Sequence, residues 1–111
     1  MNTDYNYISD LPEKILEIPT DSIVSRTIHN DENVRVILFG FAPGQELSEH
    51  TASMPAIIHI LSGSVKLIIG KDPIEGDAGT WAHMPANMPH SVFAKSQTMM
   101  LLTMIKTVSD N

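Results

Sequence analysis

A chain of 111 residues has room for one hydrophobic core and not for two. Its 42% hydrophobic and 18% charged residues are the balance of a folded domain. The formal charge of −6 argues against a nucleic-acid partner, because a phosphate backbone would be repelled. The absence of cysteine excludes disulfides and cysteine nucleophiles, and leaves a small chain dependent on core packing or on a partner subunit.

The first residues predict a protein that stays in the cytoplasm without a membrane partner. Positions 1–7 lack the basic and apolar regions of a signal peptide, and no apolar run is long enough to cross a bilayer. We expect residues 1–21 to form an N-terminal arm or edge segment, with a short helical turn over Leu11–Leu16 where proline stands near its start. Residues 22–111 are then a single domain.

From residue 22 onward, short β-branched runs alternate with turn signals, which is typical of a β-sandwich or β-barrel. The runs 23–28 and 34–39 flank a polar turn and predict a hairpin. The runs 57–61 and 65–69 are joined through Gly63, so a second hairpin is expected.

The sequence of the second half of the domain predicts three more strands. The segments 70–73 and 75–79, rich in glycine and proline, are interpreted as breaks in the chain. The predicted strands that follow are Thr80–Met84, Ser91–Ala94 and Met99–Thr107. The last of them is apolar on both faces, which indicates burial either between two sheets or against a second subunit. We therefore expect a homodimer.

Five histidines are the main candidates for chemistry, since no phosphate-binding or cysteine motif is present. His29 lies beside a polar turn, which favours a solvated, structural role. His83 shares a strand face with Trp81, and packing or solvation is its ordinary interpretation. The three that remain are His50, His59 and His90.

The spacing of Gly44, His50 and Gly63, followed by that of Gly79, Pro85 and His90, resembles the two motifs of the cupin superfamily, and in particular its small single-domain, RmlC-like members. Two of the three ligand positions in the first motif differ. Ala52 stands where the second histidine belongs, and Ala56 or Ile57 where the glutamate belongs. In the second motif Asn87 replaces a glycine, and asparagine tolerates left-handed backbone.

The resemblance implies an all-β fold, an antiparallel double-stranded β-helix or jelly-roll barrel, with a divalent metal held inside by three histidines and a glutamate. This chain retains His50 and His90. His59 is the candidate third ligand, and strand alternation groups it with Ile57 and Leu61 on a face that we expect to point inward. A β-bulge before Ile57 would invert that orientation. Imidazole ligands suit Fe, Ni, Zn or Cu.

Glu46 and Glu49 lie close to His50 in the sequence, where either carboxylate would serve as an acid, a base or a partner that orients the imidazole. Solvated loop positions are the alternative. No spacing of Ser, His and acid residues indicates a hydrolase, and no residue is assigned a catalytic role.

Three functional hypotheses stay open. The first is a metal-dependent cupin, an oxygenase or isomerase that acts on a small oxygenated metabolite through His50, His59 and His90. The second is a barrel that binds a small molecule without metal or turnover. The third is a structural or regulatory barrel that acts through a dimer surface.

Overall fold

The computed structural model describes residues 4–106. A single 3-10 turn over Leu11–Lys14, where a helical turn is expected, precedes nine strands. These strands are β1 (Ile23–Asn30), β2 (Val34–Phe41), β3 (Glu46–His50), β4 (Ala56–Ser62), β5 (Val65–Ile69), β6 (Asp72–Gly76), β7 (Trp81–Met84), β8 (His90–Ala94) and β9 (Thr98–Ile105).

The strands form two antiparallel sheets. The five-stranded sheet has the order β1-β2-β9-β4-β7, and the four-stranded sheet has the order β3-β8-β5-β6. Neighbouring strands in each sheet are mostly distant in sequence, as in a double-stranded β-helix. The predicted all-β jelly-roll barrel is therefore confirmed.

The core lies between the inner faces of the two sheets. The five-stranded sheet contributes the even-numbered positions of β4, including Ile58 and Ile60, and the four-stranded sheet contributes Leu67 and Val92. The exposed fraction of each of these four side chains is 1% or less. The full cluster is Phe41, Ala56, Ile58, Ile60, Val65, Leu67, Met84, Val92, Ala94 and Met100.

The first predicted hairpin is confirmed, because β1 pairs with β2. The second is wrong: β4 pairs with β7 and β9, whereas β5 pairs with β6 and β8. The tight connection at Gly63 (φ +93°) carries the chain from one sheet to the other. A Cβ atom there would lie 2.3 Å from the Gln97 carbonyl oxygen, so only glycine fits this crossing.

Two edge strands lie where no strand is expected. Strand β3 carries a single inward apolar side chain, Leu47, and thus lacks the alternation that marks a strand. Strand β6 contains Pro73, in a segment interpreted as a chain break. Proline is compatible with an edge strand because its missing N–H faces away from the sheet, and β6 indeed pairs only with β5.

The segment before β1 packs on the outside of the five-stranded sheet. A Cβ atom at Gly40 of β2 would lie 2.8 Å from Ile18 and 3.3 Å from Ile15, so glycine allows the arm to approach the strand closely. Leu38, two residues before Gly40 in β2, is fully buried. Within residues 4–106, no helix is long and apolar enough to span a membrane.

Candidate functional site

His50 and His90 lie side by side at one end of the four-stranded sheet. They are directly opposite each other in the β3–β8 ladder, and their ring centroids are 4.3 Å apart with the planes tilted by 58°. His90 is 6% exposed, whereas His50 is exposed to solvent. His90 therefore lies at the edge of the core, and His50 lies beside it on the solvent-exposed side.

A β-bulge in β3 turns His50 toward its partner. Leu47 pairs with Val92 on the core side, and the next pair is His50 with His90, so that β3 uses one residue more than β8 over this stretch. Without the extra residue, Glu49 would stand opposite His90. Bulges commonly redirect a side chain next to a site in this way.

Backbone carbonyl groups fix the protonation pattern of both rings. His50 Nδ1 lies 2.8 Å from the Ser48 carbonyl oxygen, and His90 Nδ1 lies 2.9 Å from the Met88 carbonyl oxygen. A carbonyl oxygen can only accept, so each Nδ1 must carry the proton and donate it. In the neutral form, each Nε2 is then left with a free lone pair.

Small side chains stand at the two ligand positions of the first motif that this chain does not retain. Ala56 is 3% exposed and belongs to the core cluster, opposite Met84 and Met104 in the neighbouring strands. Of the two residues considered for the glutamate position, Ala56 is thus the one that points inward. Ala52 accepts a hydrogen bond of 2.7 Å from the Asn87 N–H, and Asn87 has the left-handed φ of +68° that its place in the second motif favours.

His59 lies on the other side of its strand, so the expected inward orientation is wrong. Ile58 and Ile60 are 1% and 0% exposed and face the core, and alternation directs His59 outward. Its cross-strand partners are Trp81 and Leu101. The structure brings His50 and His90 together and leaves His59 apart from them.

The other candidate side chains do not reach the histidine pair. His83 shares the outward face with Trp81, as expected, and both are exposed. Glu46 stands opposite the outward-facing Phe93, and Glu49 is exposed in the bulge. The orienting partners of His50 and His90 are main-chain carbonyls rather than these carboxylates, and no side-chain pattern in the sequence encodes them.

His29 has the structural role expected of it. Its Nε2 donates to Asp31 Oδ2 at 2.7 Å. This bond, together with those from the backbone N–H groups of Val34 and Asn33, lowers the pKa of Asp31 from 3.8 to about 2. The Asp31 carboxylate thus holds the β1–β2 turn closed.

The donor set supports only part of the four-ligand metal site typical of the superfamily. Within the described residues 4–106, no group of three or more His, Cys, Asp or Glu side chains could hold a metal ion. His50 and His90 nevertheless have the feature typical of metal-binding histidines, a second ring nitrogen hydrogen-bonded to the protein. The pair fits an ion whose remaining ligands come from solvent or from a bound molecule.

Comparisons with known proteins agree with this architecture. The model of the Cupin domain family matches residues 37–106. A conserved protein of unknown function from Streptococcus pyogenes is 28% identical, with 98% of this chain and 95% of that chain covered and a TM-score of 0.83. A cupin superfamily protein from Desulfitobacterium hafniense is 21% identical, with 96% and 97% covered and a TM-score of 0.84.

A Cupin 2 conserved barrel domain protein from Leptotrichia buccalis is 30% identical, with 86% of this chain and 46% of that chain covered and a TM-score of 0.80. No curated protein sequence matches the chain.

Proposed function

The chain belongs to the cupin domain family, and from that premise we propose that His50 and His90 bind a divalent transition-metal ion that in turn holds a small oxygenated molecule. The observation that carries the proposal is the pair of hydrogen bonds from Nδ1 to the carbonyl groups of Ser48 and Met88. They leave the Nε2 atoms of the two neighbouring rings unprotonated, and a neutral imidazole nitrogen is a good ligand for Fe, Ni, Zn and Cu.

The chain's own residues would orient the ligands and leave space beside them. The two carbonyl groups hold the rings in a fixed orientation. With only two neutral protein ligands the ion keeps its full charge and several open positions, which favours anionic chelating molecules such as keto acids, enediols or phenolates. When bound, the metal supplies Lewis acidity toward an oxygen atom of that molecule.

A second function, metal-free binding of a small molecule, is favoured by Ala52 and Ala56, which lack donor atoms at two positions where cupins carry metal ligands. In that case the Nε2 atoms of His50 and His90 accept hydrogen bonds from hydroxyl groups of the ligand. Both functions use the same pair of rings, but only the first requires a metal.

Metal loading of matched variants tests the proposal. The full chain is incubated separately with Fe, Ni, Zn and Cu ions, freed of excess metal, and examined by elemental analysis. We expect wild type to retain about one ion per chain with at least one of the four metals. His50→Ala and His90→Ala should each weaken affinity by at least the roughly 10–100-fold known for the loss of an orienting partner.

His59→Ala is the matched control, because it removes the imidazole that lies on the outer face of β4. It should bind metal as wild type does. Retention of none of the four metals by wild type would contradict the proposal, and so would an equal loss in His59→Ala.

Catechol, a chelating phenol, tests which of the two functions applies. If the metal holds the small molecule, catechol should raise the Tm of the metal-loaded protein and leave that of the metal-free protein unchanged. An equal rise in Tm without metal, lost in His50→Ala and His90→Ala, would replace the first function with the second.

A further inference from the structure

One side of β2 carries three apolar residues and then an arginine. Phe39 and Phe41 pack with the core cluster, and the β2–β9 ladder runs from Val34 to Phe41 without a bulge. Because side chains alternate along a strand, Ile37 and Arg35 lie on the same side of β2 as the two phenylalanines. Arg35 therefore belongs to the inner face of the five-stranded sheet, at the point where this face meets solvent.

Arg35 lies at the same end of the barrel as the histidine pair. It is opposite Met104 in the ladder, and Met104 is opposite Ala56, the residue at the glutamate position of the first motif. Strand β4 begins at Ala56, and the short segment 51–55 joins it to His50 at the end of β3. The inner row formed by Arg35, Met104 and Ala56 thus borders the histidine pair.

Strand β2 faces strand β3 across the core. At the opposite end of the barrel, the connections between the two sheets are short: residues 42–45, 63–64, 77–80 and 95–97. Short connections join strands that lie over one another, so β2 lies over β3 and β9 lies over β8. Packed sheets are about 10 Å apart. Arg35 on β2 therefore faces the end of β3 that carries His50, across a gap with room for a small molecule.

No group within the described residues 4–106 pairs with Arg35. Its guanidinium takes part in none of the hydrogen bonds or ion pairs of this part of the chain, and the side chain is exposed. The other arginine of the sequence, Arg26, is opposite Leu38 on the outer side of the sheet. Its Nε donates to the Lys14 carbonyl oxygen at 3.3 Å. Of the two arginines, Arg35 is thus the one that is available to a ligand.

A second cation lies next to Arg35. Asn30 is the cross-strand partner of Arg35 in β1, and its Oδ1 accepts a hydrogen bond of 2.6 Å from Lys106 Nζ. The Asp31 carboxylate is bound by His29 and by the backbone of its own turn, so it forms an ion pair with neither cation. Although the chain has a formal charge of −6, this rim of the barrel is locally positive and favours an anion.

We propose that Arg35 binds the carboxylate of a small molecule held at His50 and His90, and that this molecule is a 2-oxo or 2-hydroxy carboxylic acid. The inference rests on the proposed function, since it names the ligand class of that same site. Arginine N–H groups form charge-assisted hydrogen bonds with carboxylates. A 2-oxo acid chelates a metal through its oxo oxygen and one carboxylate oxygen, which leaves the second carboxylate oxygen to Arg35. Enediols and phenols that lack a carboxylate gain nothing from this residue.

Calorimetric titration with pyruvate and with catechol tests the inference. Full-length wild type, Arg35→Gln and Arg26→Gln are loaded with the metal that wild type retains, and circular dichroism checks that each is folded. Arg35→Gln should retain the metal, because Arg35 is not a ligand. It should bind pyruvate at least about tenfold more weakly, the effect of losing a hydrogen bond between charged groups. Its affinity for catechol, which chelates without a carboxylate, should equal that of wild type.

Arg26→Gln is the matched control, because it removes the same charge from the outer side of the same sheet. It should bind both molecules as wild type does. Arg35→Lys keeps the charge but loses the planar arrangement of donors, so its affinity for pyruvate should fall between those of wild type and Arg35→Gln.

The outcomes separate this inference from the proposed function. Unchanged pyruvate affinity in Arg35→Gln, with metal retained, would overturn the inference and leave the metal site standing. An equal loss in Arg26→Gln, or an equal loss of catechol affinity in Arg35→Gln, would also overturn it. If wild type retains no metal, the metal-dependent function fails, and the same titrations of metal-free protein decide the role of Arg35. Pyruvate binding that Arg35→Gln weakens would then support the inference, and absence of pyruvate binding would overturn it.

Discussion

Replacing Gly63 by alanine tests the tight crossing that joins the two sheets. Gly63 and Gly79 have nearly equal φ angles, +93° and +96°, so alanine at either position incurs a similar backbone strain of about 1–3 kcal/mol. The two sites differ in their surroundings. A Cβ atom at Gly79 meets nothing within 4 Å, whereas at Gly63 it would lie 2.3 Å from the Gln97 carbonyl oxygen and 2.8 Å from the Thr98 Cα atom.

These contacts belong to the backbone of the neighbouring segment and cannot be relieved by a side-chain rotation. We therefore expect Gly63→Ala to lower the free energy of unfolding by about 1–3 kcal/mol more than Gly79→Ala, the usual cost of overpacking. In a domain of this size each kcal/mol lowers the Tm by about 4 °C or more. Urea and thermal unfolding of both variants, followed by circular dichroism, measure the difference. Equal destabilisation would refute the steric account of the crossing.

Two further predictions concern β4 and the first turn. Ile58→Ala should lower the free energy of unfolding by about 2–5 kcal/mol because it leaves a cavity in the core. Ile57→Ala, on the outer face, should lower the free energy of unfolding much less. Similar losses in the two variants would contradict the assigned orientation of β4. Because the pKa of Asp31 is lowered from 3.8 to about 2, its stabilising effect is present above pH 3.8 and is lost as the pH falls toward 2. Asp31→Asn should thus lose less stability than wild type over that interval in acid unfolding, and parallel curves would show that folding does not lower the pKa of Asp31.

The fold could be predicted to the extent that strands have an apolar inner face. The β-branched runs of β2 and β5 reveal their strands directly, but β3 and β6 lie at sheet edges and are mostly polar, so their sequences show no alternation. The pairing of strands is even harder to predict from the sequence. A glycine turn between β4 and β5 is compatible both with a hairpin and with a crossing between sheets. Contacts distant in sequence, around Gln97, decide between them.

The site, too, could be predicted where nearby residues determine the structure and not where distant residues do. Motif spacing is enough to single out His50 and His90, because each lies in a strand next to a turn with recognisable glycine or proline signals. The orientation of His59 was predicted wrongly because its neighbours on both faces of β4 are apolar, so that no polar residue other than His59 itself marks the outer face. The bulge that aligns His50 and the carbonyl groups that orient both rings belong to the backbone and leave no side-chain signature.

The most direct test of the central claim is a long-range ¹H–¹⁵N correlation spectrum of the histidine rings, recorded before and after addition of Zn²⁺. In the metal-free protein at mildly alkaline pH, both His50 and His90 should be in the Nδ1–H form, and on addition of Zn²⁺ both Nε2 resonances should shift while those of His59 stay in place. A proton on Nε2 of either ring, or a Zn²⁺ response at His59 alone, would contradict the proposed two-histidine site.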